Sequence, residues 1–166
     1  MAFPCDRYVS NPKDAYHRAV DVEAPPGVVF RWLCQLRVAP YSYDWIDNFG
    51  RRSPRTLTPG IEHLEAGQTV MSIFELVEFE RDRHLTIVLR RGRRLAGDLA
   101  VTYLIASPEK ERSRLVVKLL FAYPGRRLLP WLAARLFPGP ELVMMRKQLL
   151  TLKDLAEAQA SIEASY

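Results

Sequence analysis

The segment that decides the fold is GPELVMMRKQLLTLKDLAEAQA, residues 139–160. Leu142, Met145, Leu149, Leu152 and Ala156 recur at steps of three and four, which lines their side chains up on one face of an α-helix. Arg146, Lys147, Lys153 and Asp154 fall on the rest of the circumference and read as its wet side. A long helix with one apolar stripe must cover an apolar surface, and the chain before it supplies one.

Upstream, the period changes from that of a helix to that of a strand. HLTIVLR (84–90) sets Leu85, Ile87 and Leu89 on one face, and DLAVTYLIA (98–106) does the same with Leu99, Val101, Tyr103 and Ile105. RLVVKLLFAY (114–123) carries Leu115, Val117, Leu119 and Phe121 on one side and Lys118 on the other. QTVMSIFELVEFE (68–80) reads as one long strand whose alternation slips near Phe74–Val77, which predicts a bulge and leaves the faces of Glu75 and Glu78 open. Short polar joints (RDR, RGRRLAG, SPEKERS) link these runs, so the strands form an antiparallel meander with one apolar face.

Residues 1–15 are polar and broken by Pro4 and Pro12, and are expected to be a loose arm before a single domain over 16–160. HRAVDVE (17–23) alternates and reads as a first strand. Pro25 and Pro26 then open a helix, where the missing N–H of proline does no harm, and Val28, Val29, Trp32, Leu33 and Leu36 share its apolar face. In YSYDWIDNFGRRS (41–53), Ser42 is placed to cap a two-turn helix, with Tyr41 and Ile46 at the spacing of a hydrophobic staple. Asp44 lies in the first turn, where the helix dipole favours it, and Gly50 fits the left-handed residue past the end.

The totals bound the answer. With 166 residues and 48% hydrophobic content, the chain fits one domain with a sizeable core. A formal charge of +5 favours anionic partners in general without specifying nucleic acid. Cys5 and Cys34 form no CxxC pair, the first residues carry no signal-peptide core, and no apolar run approaches the ~18 residues of a membrane span. A cytoplasmic location is expected, and the oligomeric state is open.

One strand, a helix, a short second helix, an antiparallel meander and a long terminal helix: this order resembles the helix-grip fold of the SRPBCC superfamily. That group unites the START-like, polyketide cyclase/dehydrase and birch-pollen-allergen proteins. The resemblance runs from about His17 to Gln159. VDVEAPPGVVFRWLCQL (20–36) is similar to the group's opening strand and helix, and YSYDWIDNFGRRS with LEAGQTV (64–70) is similar to a pattern found in a bacterial subset. The fold class implied is α+β, a curved antiparallel sheet wrapped around a long C-terminal helix, often with a cavity between them. Two departures stand out: the apolar insertion GRRLLPWLAARLFPG (125–139) and a slightly short spacing between the first helix and the aromatic motif.

Candidate chemistry follows. His17, His63 and His84 have no metal-ligand spacing, so no metal and no cofactor is expected. No GxSxG occurs, and Cys34 on an apolar helix reads as a small buried hydrophobe. Asp44 and Asp47, three apart on one helix face, are either a cap with a partner for Arg51 or Arg52, or a polar rim that holds a ligand. Tyr103, Asp98 and Glu78 are acid–base candidates if they face inward. The pocket lining would come from Trp32 and Tyr43 at the first two helices and from Ile87, Val101 and Tyr103 in the middle strands. Val117, Leu119 and Phe121 would line it from the last strand, and Met145, Leu149 and Leu152 from the terminal helix.

The leading expectation is therefore a protein that binds or transports a small hydrophobic ligand, lipid-like or aromatic. One alternative is a polyketide cyclase/dehydrase-like enzyme using the same space. The basic clusters read as solvated turns, so no specific nucleic acid is expected. Arg126–Phe137, apolar with basic ends and Trp131, either closes one end of the core or makes a peripheral membrane or partner contact, which would make the chain an adaptor.

Overall fold

The alternating runs form one antiparallel sheet in the computed structural model, which describes residues 2–48, 50–91, 97–122 and 138–165, with backbone only at 47, 107–109 and 138–142. The strands are β1 (Asp14–Val22), β2 (Thr69–Val70), β3 (Phe74–Glu80), β4 (His84–Leu89), β5 (Asp98–Glu109) and β6 (Arg112–Ala122). Their order across the sheet is β1-β6-β5-β4-β3-β2, so β2 to β6 run as a meander and β1 returns to pair with the last strand. The helices are α1 (Pro26–Cys34), α2 (Asp44–Asp47) and α3 (Pro138–Glu163). The sheet is curved and the long α3 packs into it, an α+β helix-grip architecture.

Register assigns the faces. Ile87 pairs with Val101 and Val101 with Leu119, while Leu85 pairs with Tyr103 and Tyr103 with Val117. All six are buried with the inward stripe of α3 (Met145, Leu149, Leu152, Ala156) and with Val28, Val29, Trp32, Leu33 and Leu36 of the α1 region. The apolar rows read in the sequence thus meet in one core. Removing their area from water supplies about 25 cal/mol per Å².

The expected irregularity near Phe74–Val77 has two parts. The run 68–80 is not one strand: Met71 and Ser72 take positive φ (46° and 64°) and turn β2 back on β3, pairing Val70 with Phe74. A bulge then falls between Leu76 and Glu78, where Leu76 pairs with Ile87 but Glu78 pairs with Thr86. It places both Glu75 and Glu78 on the outer face, although they are three residues apart.

That outer face is not bare. The arm expected to be loose packs on it: Phe3, Cys5 and Val9 are buried against Ala100, Leu104 and Leu120. The Cys5 N–H donates to Thr102 Oγ1 at 2.9 Å. Lys118 Nζ lies 2.6 Å from Asp6 Oδ1 and 5.3 Å from the centre of the Phe3 ring. Three apolar residues among prolines and charges are too sparse for a periodic signal, yet they suffice to cover a narrow strip of sheet.

The region 41–50 also departs from expectation. Its helix starts after Tyr43 and receives no side-chain cap. The staple does not form either, because Ile46 is exposed while Tyr41 is buried with φ 57°. Gly50 does take the left-handed conformation, φ 76°, and its N–H donates to Asp44 O at 2.8 Å. No helix among the described residues is long and apolar enough to cross a membrane.

Candidate functional site

Between the inner sheet face and α3, a polar pair interrupts the apolar packing of the described residues. Tyr103, in the middle of β5, donates its hydroxyl to Gln148 Oε1 at 2.7 Å. Gln148 Nε2 in turn donates to Pro40 O at 2.6 Å and lies 3.4 Å from Met71 Sδ. One buried amide therefore ties together β5, α3, the chain after α1 and the β2–β3 turn. Gln148 occupies a core position because it lies three residues after Met145 and four before Leu152, on the stripe itself.

A second buried amide shapes the neighbouring wall. Gln35 follows α1 and is fully buried. Its Nε2 donates to Tyr41 Oη at 2.9 Å and to Thr56 O at 3.1 Å, while its Oε1 accepts the Thr58 N–H at 3.1 Å. The Tyr41 hydroxyl passes a hydrogen bond on to Pro54 O at 2.8 Å. These bonds hold the loop after α2 against α1. Asp44 closes the same loop, accepting the Ser53 N–H at 2.8 Å and the Ser53 hydroxyl at 2.5 Å. The sequence offers Arg51 or Arg52 as the partner of Asp44; instead a serine beside them supplies two donors.

Trp32 completes the group. Its side chain, 2% exposed, meets the Tyr41 ring edge-on at 6.1 Å, and its Nε1 finds no hydrogen-bond partner among the described residues. Buried indole N–H groups normally have one, and leaving such a donor unpaired costs about 1–3 kcal/mol.

The candidates read from sequence divide clearly. Trp32, Ile87, Val101, Tyr103, Val117, Leu119, Met145, Leu149 and Leu152 share the core cluster. Phe121 is half-buried at its margin, edge-on to Tyr16 at 6.1 Å. Tyr43 and Asp44 are half-buried at the start of α2, and the side chain of Asp47 lies outside the described residues, as does Arg126–Phe137. Asp98 pairs with Ala122, one step out of phase with Tyr103, and so belongs to the outer face. Glu78 is also outside, 2.5 Å from Arg7 Nη2, 3.1 Å from Tyr8 Oη and 3.5 Å from His84 Nε2. Both carboxylates thus lie on the opposite face of the sheet from Tyr103, whose hydroxyl donates to the Gln148 amide.

Thiol chemistry finds no support here either. Burial pushes the Cys34 thiol up to about 12, and burial raises that of Cys5 as well. Burial also raises the Tyr41 phenol, partly offset by its bond from Gln35. Among the described residues no three His, Cys, Asp or Glu side chains are grouped to hold a metal ion.

No family model and no curated protein matches the sequence. Solved structures do match. A protein of Thermus thermophilus superposes with a TM-score of 0.56 at 16% identity, over 89% of this chain and 99% of that one. A hypothetical protein of Helicobacter pylori gives 0.56 at 13% identity, over 94% and 95%. The di-domain ARO/CYC StfQ from the steffimycin biosynthetic pathway gives 0.56 at 13% identity, over 89% of this chain and 51% of that one. At these identities the likeness concerns the fold alone, the helix-grip arrangement of curved sheet and long terminal helix.

Proposed function

We propose that this protein binds a small, largely apolar molecule between the inner sheet face and α3, and holds its polar end through Trp32, Tyr103 and Gln148. The observation that carries the reading is the buried Trp32 N–H, which has no hydrogen-bond partner among the described residues, in a largely apolar interior. A ligand oxygen accepting from that indole would remove the penalty of an unpaired donor. Apolar walls with a few placed polar groups are the usual make-up of small-molecule sites. Affinity would come from apolar area removed from water at about 25 cal/mol per Å², reduced by the losses of association. The ligand class that fits is a lipid-like or aromatic molecule with one carbonyl or hydroxyl acceptor. The place of StfQ in a biosynthetic pathway as an ARO/CYC protein makes aromatic polyketides sensible first compounds to try.

Binding ranks ahead of catalysis for a chemical reason. Asp98 and Glu78, the carboxylates that would act with Tyr103 as acid and base, lie across the sheet from it. The test is a thermal-shift and native mass spectrometry screen of lipids and aromatic polyketides, run on the wild type and on Trp32→Phe. A stabilising ligand that is retained in the gas phase and weakened by Trp32→Phe is expected. Failure of every compound class to bind would refute the reading.

A further inference from the structure

A second surface stands apart from this interior. Gln148 ties Pro40 and Met71 to α3, so the chain leading into α2, the β2–β3 turn and the early turns of α3 meet at one end of the sheet. The end of β4 joins them, because the Arg90 and Arg91 N–H groups both donate to Ile73 O, at 2.9 and 3.1 Å. The segments joined in this way carry large exposed apolar side chains: Trp45 at 75% and its neighbour Ile46, Ile73 at 43% and Val143 at 54%. Arg51, Arg52, Arg90 and Arg91 are exposed in the adjoining stretches of chain, Arg90 with its Nε 3.3 Å from Glu75 Oε2.

We infer that this end of the protein docks on an anionic phospholipid bilayer. An exposed tryptophan and aliphatic side chains on segments that also carry exposed arginines match a membrane–water interface, where the ring sits at headgroup depth and the cations meet lipid phosphates. Two other occupants fit less well. Single-stranded nucleic acid would use Trp45 for stacking but offers nothing to Ile46, Ile73 and Val143. A second copy of this chain would bring the same arginines against each other. The sign of the whole chain, +5, agrees with an anionic surface.

The experiment is vesicle sedimentation with phosphatidylcholine alone and with phosphatidylcholine mixed with phosphatidylglycerol. The wild type should pellet with the mixed vesicles only, and raising salt from about 0.1 to about 0.5 M should release it. Arg51→Gln with Arg52→Gln should weaken partition roughly 30-fold, at about 1 kcal/mol per cation. Trp45→Ser should weaken it by about tenfold or more, given the large area a covered tryptophan buries. Both variants change exposed side chains, so unaltered circular dichroism is expected. The inference fails if the wild type stays in the supernatant with the mixed vesicles, or if both variants pellet like it. It fails equally if only Trp131→Ala abolishes pelleting, or if Trp45→Ser instead abolishes self-association. None of these failures bears on the internal site.

Discussion

Replacing Tyr103 by Phe deletes one oxygen and tests whether the buried relay holds α3 to the sheet. The loss strands Gln148 Oε1, the acceptor of a 2.7 Å bond in a side chain that is buried. A stranded buried acceptor costs about 1–3 kcal/mol. Gln148→Leu does more harm, because it removes the partner of Tyr103 and also the 2.6 Å donor to Pro40 O, for about 2–4 kcal/mol in total. The double variant removes both ends of the Tyr103–Gln148 bond, so its loss should fall short of the sum by about 1–2 kcal/mol. Urea unfolding of the four proteins measures this. With a slope of about 2 kcal/mol per M, Tyr103→Phe should lower the midpoint by roughly 0.5–1.5 M. If the two single losses add to within about 0.3 kcal/mol, the two side chains are not coupled and the relay is wrong.

Three further outcomes follow from other parts of the fold. Phe3→Ala should destabilise by about 3 kcal/mol in the same unfolding assay, because Phe3 is buried on the outer sheet face under Lys118; a loss below about 0.5 kcal/mol would mean the arm is not docked. Asp6→Asn tests the linkage to pH. Burial alone would raise the Asp6 carboxyl, but the bonds from Lys118 and the Phe3 N–H outweigh it and hold it below its usual value. Its contribution is therefore complete above the unfolded value, about 3.9, and disappears as pH falls through the lower folded value. The stability gap between wild type and Asp6→Asn should be constant from about pH 5 to 7 and close toward about pH 2; a gap that widens in acid would reverse the sign argued here. Native protein at about pH 8 should leave Cys34 unlabelled by iodoacetamide over hours while urea-unfolded protein reacts at once, since burial holds that thiol at about 12; rapid native labelling would contradict its burial.

Strand and helix periods are enough to place the sheet, α1 and α3, because each apolar row has to face the same core. Local backbone geometry is harder to read. The positive φ values at Met71 and Ser72 belong to residues that do not advertise a turn, so β2 and β3 look continuous in the sequence. The bulge after Leu76 is visible as a slip in alternation, but only pairing with β4 fixes which side Glu78 takes. The docking of the arm escapes such a reading because three apolar side chains carry no period. In the core between sheet and α3, the buried apolar residues are legible, and the buried amides that bond within it are not. Gln148 and Gln35 both stand on stripe positions, one between Met145 and Leu152 and the other three residues past Trp32. A glutamine interrupting an apolar stripe is the available signal, since burying an amide there requires partners on other elements. Those partners, Tyr103, Pro40, Tyr41 and Thr56, come from other parts of the chain, which periodicity cannot reveal.

The indole N–H resonance of Trp32, followed in a nitrogen–proton correlation spectrum during titration with a compound that raises the melting temperature, tests the central claim most directly. Binding between the sheet and α3 predicts a downfield shift of that proton and slower exchange with water, both absent in Trp32→Phe. An unchanged Trp32 signal at saturating compound, with the shifts confined to the protein surface, would contradict it.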